Sequence, residues 1–149
     1  MTAAFSSRAE AGRLLGLAVA EALGAEPAIV LALPRGGVSV GAEVADALGC
    51  PLDVLVVRKV GVPGHRELAM GALAGGTVVR NHDVIASMGV DEATFEKVVA
   101  QERAIAQARE QSYRGIREAV SMAGRTAVVV DDGLATGATA RAALTALRA

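Results

Sequence analysis

Short, continuous apolar runs alternate with longer stretches of helical periodicity along this chain. The runs Ala28–Leu33, Leu52–Val57 and Thr126–Val130 consist mainly of aliphatic residues. Runs of this length and composition are typical of strands that are buried on both faces of a parallel sheet. Because the stretches between them predict helices, the pattern predicts an α/β fold of three layers around a central, mainly parallel sheet.

Serines and glycines set the predicted ends of the helices. Ser6 or Ser7 can cap the first helix, and glycines follow the other periodic stretches. The predicted helices cover residues 7–23, 38–48 and 91–123, and a further helix begins near residue 138. Residues 68–79 predict a hairpin or two short strands. No linker composition is seen, so residues 1–149 are predicted to form a single domain with its core at 28–149.

Charge and composition exclude several classes of function. The 149 residues include 15 lysines and arginines against 16 aspartates and glutamates, with 2% aromatics and no tryptophan. This balance argues against a dedicated nucleic-acid partner. No apolar run approaches the ~20 residues of a membrane-spanning helix, so we expect a cytoplasmic protein without a membrane partner. Cys50 is the only cysteine, and its position beside an apolar run favours a small buried thiol over a nucleophile.

The segment after the third apolar run carries the most specific chemistry. Asp131 and Asp132 follow that run directly, and Gly133 and Gly137 permit close approach of the backbone to a ligand. Threonine hydroxyls and the N–H groups of a helix start then form a cradle for an anion. A carboxylate pair next to a phosphate seat suits a sugar phosphate, whose vicinal hydroxyls bond to the acids. The alternative is a strand turn with two solvated aspartates.

Two further loops follow predicted strands, at Arg35 and at Lys59. In open parallel sheets, ligands bind beyond the carboxyl ends of the strands. We therefore expect both cations to lie on the same edge of the sheet as the acids. The segment lacks the lysine of a Walker A loop and the dinucleotide pattern of three glycines, which excludes those two phosphate-binding motifs.

Residues 128–139, Val-Val-Val-Asp-Asp-Gly-Leu-Ala-Thr-Gly-Ala-Thr, resemble the phosphoribosyl-pyrophosphate (PRPP) motif of the type I phosphoribosyltransferases. Residues 33–37, Leu-Pro-Arg-Gly-Gly, resemble that family's pyrophosphate loop. Residues 56–59, Val-Val-Arg-Lys, are similar to the strand that leads into its mobile catalytic loop. The chain looks most like a bacterial subgroup whose acceptor is undefined. The resemblance implies the Rossmann-like fold of type I phosphoribosyltransferases.

The resemblance also implies roles for individual residues. The acidic pair would bind the ribose hydroxyls, and the loop of residues 135–139 would bind the 5-phosphate. The implied PRPP-binding residues are Asp131, Asp132, Gly133, Ala135, Thr136, Gly137, Ala138 and Thr139. The implied pyrophosphate-binding residues are Arg35, Gly36, Gly37 and Lys59. Mg²⁺ would be bound through PRPP, with no direct protein ligand, which suits its habit of keeping waters and substrate oxygens.

The implied reaction is transfer of the 5-phosphoribosyl group from PRPP to a small nitrogenous acceptor, such as a nucleobase, with release of pyrophosphate. Lys59, Arg35 and Glu67 are the candidate catalytic residues, and His65 is a weaker candidate for proton transfer. Residues 60–68 are the candidate lid loop. The alternatives are a PRPP- or nucleotide-binding regulatory module without turnover, and a partner subunit that cannot complete the site.

The chain departs from the family pattern at two places. Ala135 stands where many members carry an acid that serves as the base for the nucleobase. The sequence also ends at Ala149 inside a helical pattern. We therefore expect a C-terminally truncated domain that lacks the hood and the last strands. The aliphatic helices offer a surface for a homodimer.

Overall fold

The computed structural model describes residues 4–149. Helices and strands alternate along the chain, as the sequence predicts. The elements are α1 (Arg8–Leu23), β1 (Ala28–Ala32), α2 (Gly37–Leu48), β2 (Leu52–Val54), β3 (Val57–Val62), β4 (His65–Ala74), β5 (Thr77–Arg80), α3 (His82–Ser87), α4 (Glu92–Arg114), β6 (Thr126–Val130) and α5 (Ala138–Arg148). Among residues 4–149, every helix is either too short or too polar to span a lipid bilayer.

The chain forms two compact units, each built from two separate segments. The first unit runs to Leu55 and resumes at Arg114–Ala135, and the second comprises Val56–Tyr113 and Thr136–Ala149. The first contains α1, β1, α2, β2 and β6. The second contains the remaining strands and helices.

The first unit is built on a parallel sheet with the strand order β2-β1-β6. Val30 at the centre of β1 lies opposite Leu52 on one side and Val128 on the other. All five residues of β1 are buried. Helix α2 packs on this sheet through Val40 and Val44. The prediction of an α/β fold with a parallel sheet is therefore confirmed.

Helix α1 packs closely on α2 through two glycines. A Cβ atom at Gly12 would lie 2.7 Å from the Cβ of Glu43, and one at Gly16 would lie 2.7 Å from the Cβ of Ala47. Real Cβ atoms do not approach so closely, so only glycine allows this separation of the two helices. Ser7 caps α1 by accepting a hydrogen bond from the N–H of Glu10 at 3.1 Å, as predicted.

The second unit is built on an antiparallel sheet with the strand order β3-β4-β5. Val60 and Met70 from this sheet pack against Phe95 and Val99 of α4, and all four side chains are buried. Helix α5 lies against the same sheet. The predicted hairpin at 68–79 is present, although its first strand begins earlier, at His65.

Three predicted boundaries are wrong. The apolar run 52–57 is not one strand, because β2 ends at Val54 and the chain then enters the other sheet as β3. The predicted loop 60–68 lies mostly in β3 and β4, and only residues 63–64 form the turn. The two strands satisfy each other's backbone hydrogen bonds, so the polar side chains of this segment do not prevent strand formation. The long helix ends at Arg114 because Gly115, with φ +64°, leaves the helical conformation.

Two other predictions concern burial. Strand β6 is less buried than its composition predicts, since Val130 is its only buried residue. Cys50 is half-buried beside the core of the first unit, and burial raises the pKa of its thiol.

Helix α3, at 82–87, has no counterpart among the predicted elements, because a helix of six residues is too short to show periodicity.

Candidate functional site

In the first unit, the ends of two neighbouring strands bring predicted site residues together. Strands β1 and β6 are parallel, and Ala32 lies opposite Val130. The N–H of Leu33 donates to the carbonyl oxygen of Val130 at 2.8 Å, which holds the start of both following loops side by side. The loop after β1 carries Arg35, and the loop after β6 carries the acids. The parallel register thus explains why segments about a hundred residues apart meet.

Two glycines of the first loop lie directly against the acidic pair. A Cβ at Gly37 would lie 2.7 Å from the carbonyl oxygen of Val130 and 3.1 Å from the Cα of Asp131. A Cβ at Gly36 would overlap the carboxylate of Asp132. Gly36 has an ordinary φ of −64°, so space rather than conformation requires glycine there. The Gly-Gly pair therefore lets the backbone of one loop touch the acids of the other.

Arg35 is exposed, and its guanidinium forms no hydrogen bond or ion pair with residues 4–149. Its peptide bond to Pro34 is cis. Helix α2 begins two residues later, at Gly37. A free guanidinium close to a helix N-terminus favours an anionic ligand, because both carry positive charge.

The acidic pair has an electrostatic partner that sequence reasoning missed. Oδ2 of Asp132 accepts hydrogen bonds from Arg8 Nη2 at 3.0 Å and from Arg8 Nε at 3.2 Å. The backbone N–H of Asp132 donates to Oδ1 of Asp131 at 2.8 Å. The hydrogen bonds from Arg8 lower the pKa of Asp132, and burial, together with the adjacent charge of Asp132, raises the pKa of Asp131. The pair is thus polarised, with its negative charge favoured on Asp132.

The remaining residues of the PRPP motif straddle the two units, because the boundary falls after Ala135. In the second unit Gly137 is left-handed, with φ +76°, and serves as the N-cap of α5. Thr136 Oγ1 accepts a hydrogen bond from the N–H of Ala138 at 3.3 Å. Thr136 and Thr139 are exposed. A helix start with exposed hydroxyls is the arrangement that the sequence predicts for a phosphate seat.

Lys59 and Glu67 both belong to the second unit. The prediction that Lys59 lies in a loop at the edge of the parallel sheet is wrong, because the chain enters the antiparallel sheet as β3 before it reaches Lys59. Lys59 is exposed on β3, opposite Ala72 of β4. It lines a cleft of about 410 Å³ together with Arg58, Arg66 and Gln101. Glu67 is an exposed residue of β4, with Oε1 3.6 Å from Nδ1 of His65. This cleft is rich in positive charge, although Arg58 itself pairs with Glu102 at 2.7 Å.

No group of three or more potential metal-ligating side chains lies together within residues 4–149. The acids that are close together are Asp131 and Asp132, and both have some exposure to solvent. Mg²⁺ commonly takes one or two carboxylates and completes its shell with waters and substrate phosphates. The residues present therefore fit a magnesium ion that arrives with a phosphorylated ligand.

Comparison with known proteins identifies the family and the fold of the chain. The profile of the phosphoribosyl transferase domain matches residues 6–149. Two Mycobacterium tuberculosis proteins, from strains CDC 1551 and H37Rv and both named "Putative phosphoribosyl transferase", are 47% identical over 146 residues. These alignments cover 97% of this chain and 33% of each relative, so the chain spans about a third of their length. The crystal structure of TT1426 from Thermus thermophilus superposes with a TM-score of 0.81 at 44% identity, over 97% of this chain and 69% of that one.

Proposed function

Because the chain belongs to the phosphoribosyl transferase domain family, we propose that it binds PRPP and transfers its 5-phosphoribosyl group to a small nitrogenous acceptor, releasing pyrophosphate. One observation carries the proposal. The carboxylates at the end of β6 lie against the Gly36–Gly37 backbone at the end of β1. Acceptors for hydroxyl groups and a loop suited to an anion thus stand side by side, which is what a ribose bearing pyrophosphate requires.

The reaction breaks the bond between the anomeric carbon and pyrophosphate and forms a bond from that carbon to the acceptor nitrogen. The bonding electrons leave with pyrophosphate, and the nitrogen loses a proton to solvent or to a base. Positive charge grows on the ribose ring, and Asp131 and Asp132 stabilise it while they hold the hydroxyls. Negative charge grows on pyrophosphate, and the Arg35 guanidinium stabilises it.

Backbone N–H groups and threonine hydroxyls provide the remaining contacts to PRPP. Gly133, Ala135 and the residues 136–139 lead from the acids into α5, where N–H groups and threonine hydroxyls take the 5-phosphate. The N–H of Gly37 already donates to the carbonyl oxygen of Leu33 at 3.1 Å, so the role of Gly37 is to shape the pyrophosphate loop. Mg²⁺, bound through PRPP, would neutralise phosphate charge, and the exposed acids would accept hydrogen bonds from its waters.

Lys59 and Glu67 lie on the hairpin β3–β4, whose turn is at Pro63 and Gly64. We assign this hairpin the role of the lid in place of a flexible loop. Closure over bound PRPP excludes water and so prevents wasteful hydrolysis. Lys59 then adds a second cation for the leaving pyrophosphate, and Glu67 is the carboxylate available for proton transfer.

Turnover is tested by following pyrophosphate release from Mg-PRPP with a panel of purine, pyrimidine and other nitrogenous acceptors. Lys59→Ala is expected to lower kcat at least tenfold while leaving PRPP affinity within about threefold, because its charge is needed for the leaving group. Lys97→Ala removes the other lysine, which is exposed on α4, and is the matched control. Equal losses of kcat and of affinity would contradict the role of Lys59.

A regulatory module without turnover is the second candidate, and Ala135 favours it. An alanine there provides no carboxylate to take the acceptor's proton. The same assay separates the two functions. PRPP binding with pyrophosphate release identifies an enzyme, whereas binding without release from any acceptor identifies a PRPP-sensing module.

A further inference from the structure

We propose that Arg8 is a positioning residue for Asp132, and that it prepares this carboxylate to accept a ribose hydroxyl. The inference rests on the proposed function, since it concerns how the ribose-binding acid is held. Arg8 itself is not assigned any contact with substrate. It acts through the carboxylate to which its guanidinium is bonded.

Arg8 reaches Asp132 because of how α1 is packed. Gly12 and Gly16 bring α1 against Glu43 and Ala47 of α2, and the first residue of α1 is Arg8. Helix α2 in turn begins in the pyrophosphate loop, at Gly37. The two glycines thus fix the start of α1 relative to the helix that continues from that loop.

The contact engages only one of the two carboxylate oxygens. Both Nη2 and Nε of Arg8 donate to Oδ2 of Asp132. The same oxygen is the one that a Cβ at Gly36 would meet. Neither nitrogen of Arg8 donates to the other oxygen, Oδ1. Arg8 therefore holds one oxygen of Asp132, in space that Gly36 leaves open, and does not itself occupy the other oxygen.

The positive charge of Arg8 also reduces the repulsion between Asp131 and Asp132. Asp131 and Asp132 are adjacent carboxylates, and two neighbouring negative charges oppose each other's ionisation. The charged groups that face Asp132 are Asp131 on its own loop and Arg8 on α1. A guanidinium on Asp132 offsets part of this repulsion and further favours the charged carboxylate, which accepts hydrogen bonds.

The pair matters more for position than for stability. The side chain of Arg8 is 62% exposed and that of Asp132 is 34% exposed. Exposed ion pairs add little to the free energy of folding, because solvent screens them. Loss of Arg8 is therefore expected to leave the unfolding transition almost unchanged and to weaken PRPP binding.

The test compares two ligands on the 149-residue chain. Mg-PRPP carries the ribose hydroxyls, whereas Mg-pyrophosphate lacks them and is measured by its displacement of PRPP. Arg8→Gln should weaken PRPP binding about tenfold, the scale of a lost hydrogen bond to a charged group, and change pyrophosphate affinity less than twofold. Arg8→Lys should recover part of the loss, because it restores the charge without the contact through two nitrogens.

Arg13→Gln is the matched control, since Arg13 is another exposed arginine on α1. It should leave both affinities unchanged. Equal weakening of PRPP and pyrophosphate by Arg8→Gln would mean that Arg8 only supports the local structure, and unchanged or tighter PRPP binding would also overturn the proposal. If the folded wild-type chain binds neither ligand, the proposed function itself fails, which is a distinguishable result.

Discussion

Gly36 shows most directly how one residue type serves the site. The Asp132 carboxylate occupies the space where any other residue would place its Cβ. Gly36→Ala is therefore expected to displace the carboxylate and weaken Mg-PRPP binding about tenfold, which corresponds to a modest overpacking cost. Because φ at Gly36 is −64°, alanine itself adds no backbone strain there. Isothermal titration measures the affinity.

Gly49→Asn provides a control at the other end of the same helix. Gly49 is left-handed, with φ +61° and ψ +34°, and asparagine tolerates that conformation. Nothing surrounds its missing Cβ within 4 Å. A loss of PRPP affinity in Gly49→Asn as large as in Gly36→Ala would argue against a local effect on Asp132.

At this scale, local motifs indicate some site residues and not others. Asp131 and Asp132 are visible in the sequence because they follow a strand directly and precede a glycine-rich helix start. Arg8 is not visible in this way. Its partner lies 124 residues away, and no periodicity relates the two positions. A surface arginine in the first turn of a helix has many possible partners, and only the tertiary packing selects one.

At the scale of elements, α1 depends on two glycines for its packing. In an exposed helix, replacing glycine by alanine stabilises by ~1 kcal/mol. Gly16→Ala is expected to do the opposite and lower the free energy of unfolding by ~1–3 kcal/mol, because the new methyl meets the Cβ of Ala47 at 2.7 Å. Urea denaturation measures the change.

A compensating variant checks the cause of that loss. Gly16→Ala combined with Ala47→Gly restores the space between α1 and α2. The double variant should be more stable than the sum of the two single changes predicts, which is the signature of direct contact. Strict additivity would show that the two positions do not touch.

The polypeptide after α4 is held by a partly buried ion pair between Asp53 and Arg114. Asp53 of β2 is 7% exposed, and its carboxylate accepts from Arg114 Nε at 2.8 Å and from the N–H of Val120 at 2.9 Å. Asp53→Asn removes the carboxylate charge with which Arg114 pairs. We expect a loss of ~3 kcal/mol in the free energy of unfolding, measured by urea denaturation at neutral pH.

The same pair predicts a pH dependence. Burial alone would raise the pKa of Asp53, but the hydrogen bonds from Arg114, Val120 and Val54 outweigh it, so the pKa is lowered. A lowered pKa contributes stability that is fully present above the unfolded-state value, ~3.9, and is lost as the pH falls through the folded-state value. The stability difference between wild type and Asp53→Asn should therefore shrink below about pH 4. A difference that stays constant would contradict this assignment.

Element boundaries are predicted well where a local cap decides them. Ser7 and Gly24 bound α1, and Gly49 ends α2, as the sequence indicates. The run 52–57 could not be divided from sequence, because its apolar residues suit either sheet. Pro63 and Gly64 are typical of a long loop and of a tight turn alike. The sequence therefore does not indicate that strands β3 and β4 continue up to these two residues.

At the scale of the whole molecule, the chain crosses between its two units after Leu55, Tyr113 and Ala135. No linker composition marks these crossings, so the sequence does not indicate them. Each unit consists of segments that are discontinuous in sequence. The first unit cannot complete its sheet until the second has been traversed, because β6 follows α4 along the chain.

We therefore expect the two units to unfold together. The only tyrosine, Tyr113, lies in the second unit, and the only cysteine, Cys50, lies in the first. Tyrosine fluorescence and thiol labelling thus report the two units separately. Coincident denaturation midpoints would support the predicted single domain. Two separated transitions would show that the units are independent domains.

The central claim is that the acids at the end of β6 bind the ribose of PRPP. Isothermal titration of Mg-PRPP into the wild-type chain and into Asp131→Asn/Asp132→Asn tests it most directly. Circular dichroism first establishes that both proteins are folded. We predict saturable binding to the wild type and at least a hundredfold weaker binding to the double variant, since two charged hydrogen-bond acceptors are lost. No binding to the folded wild type, or equal binding to both proteins, would contradict the claim.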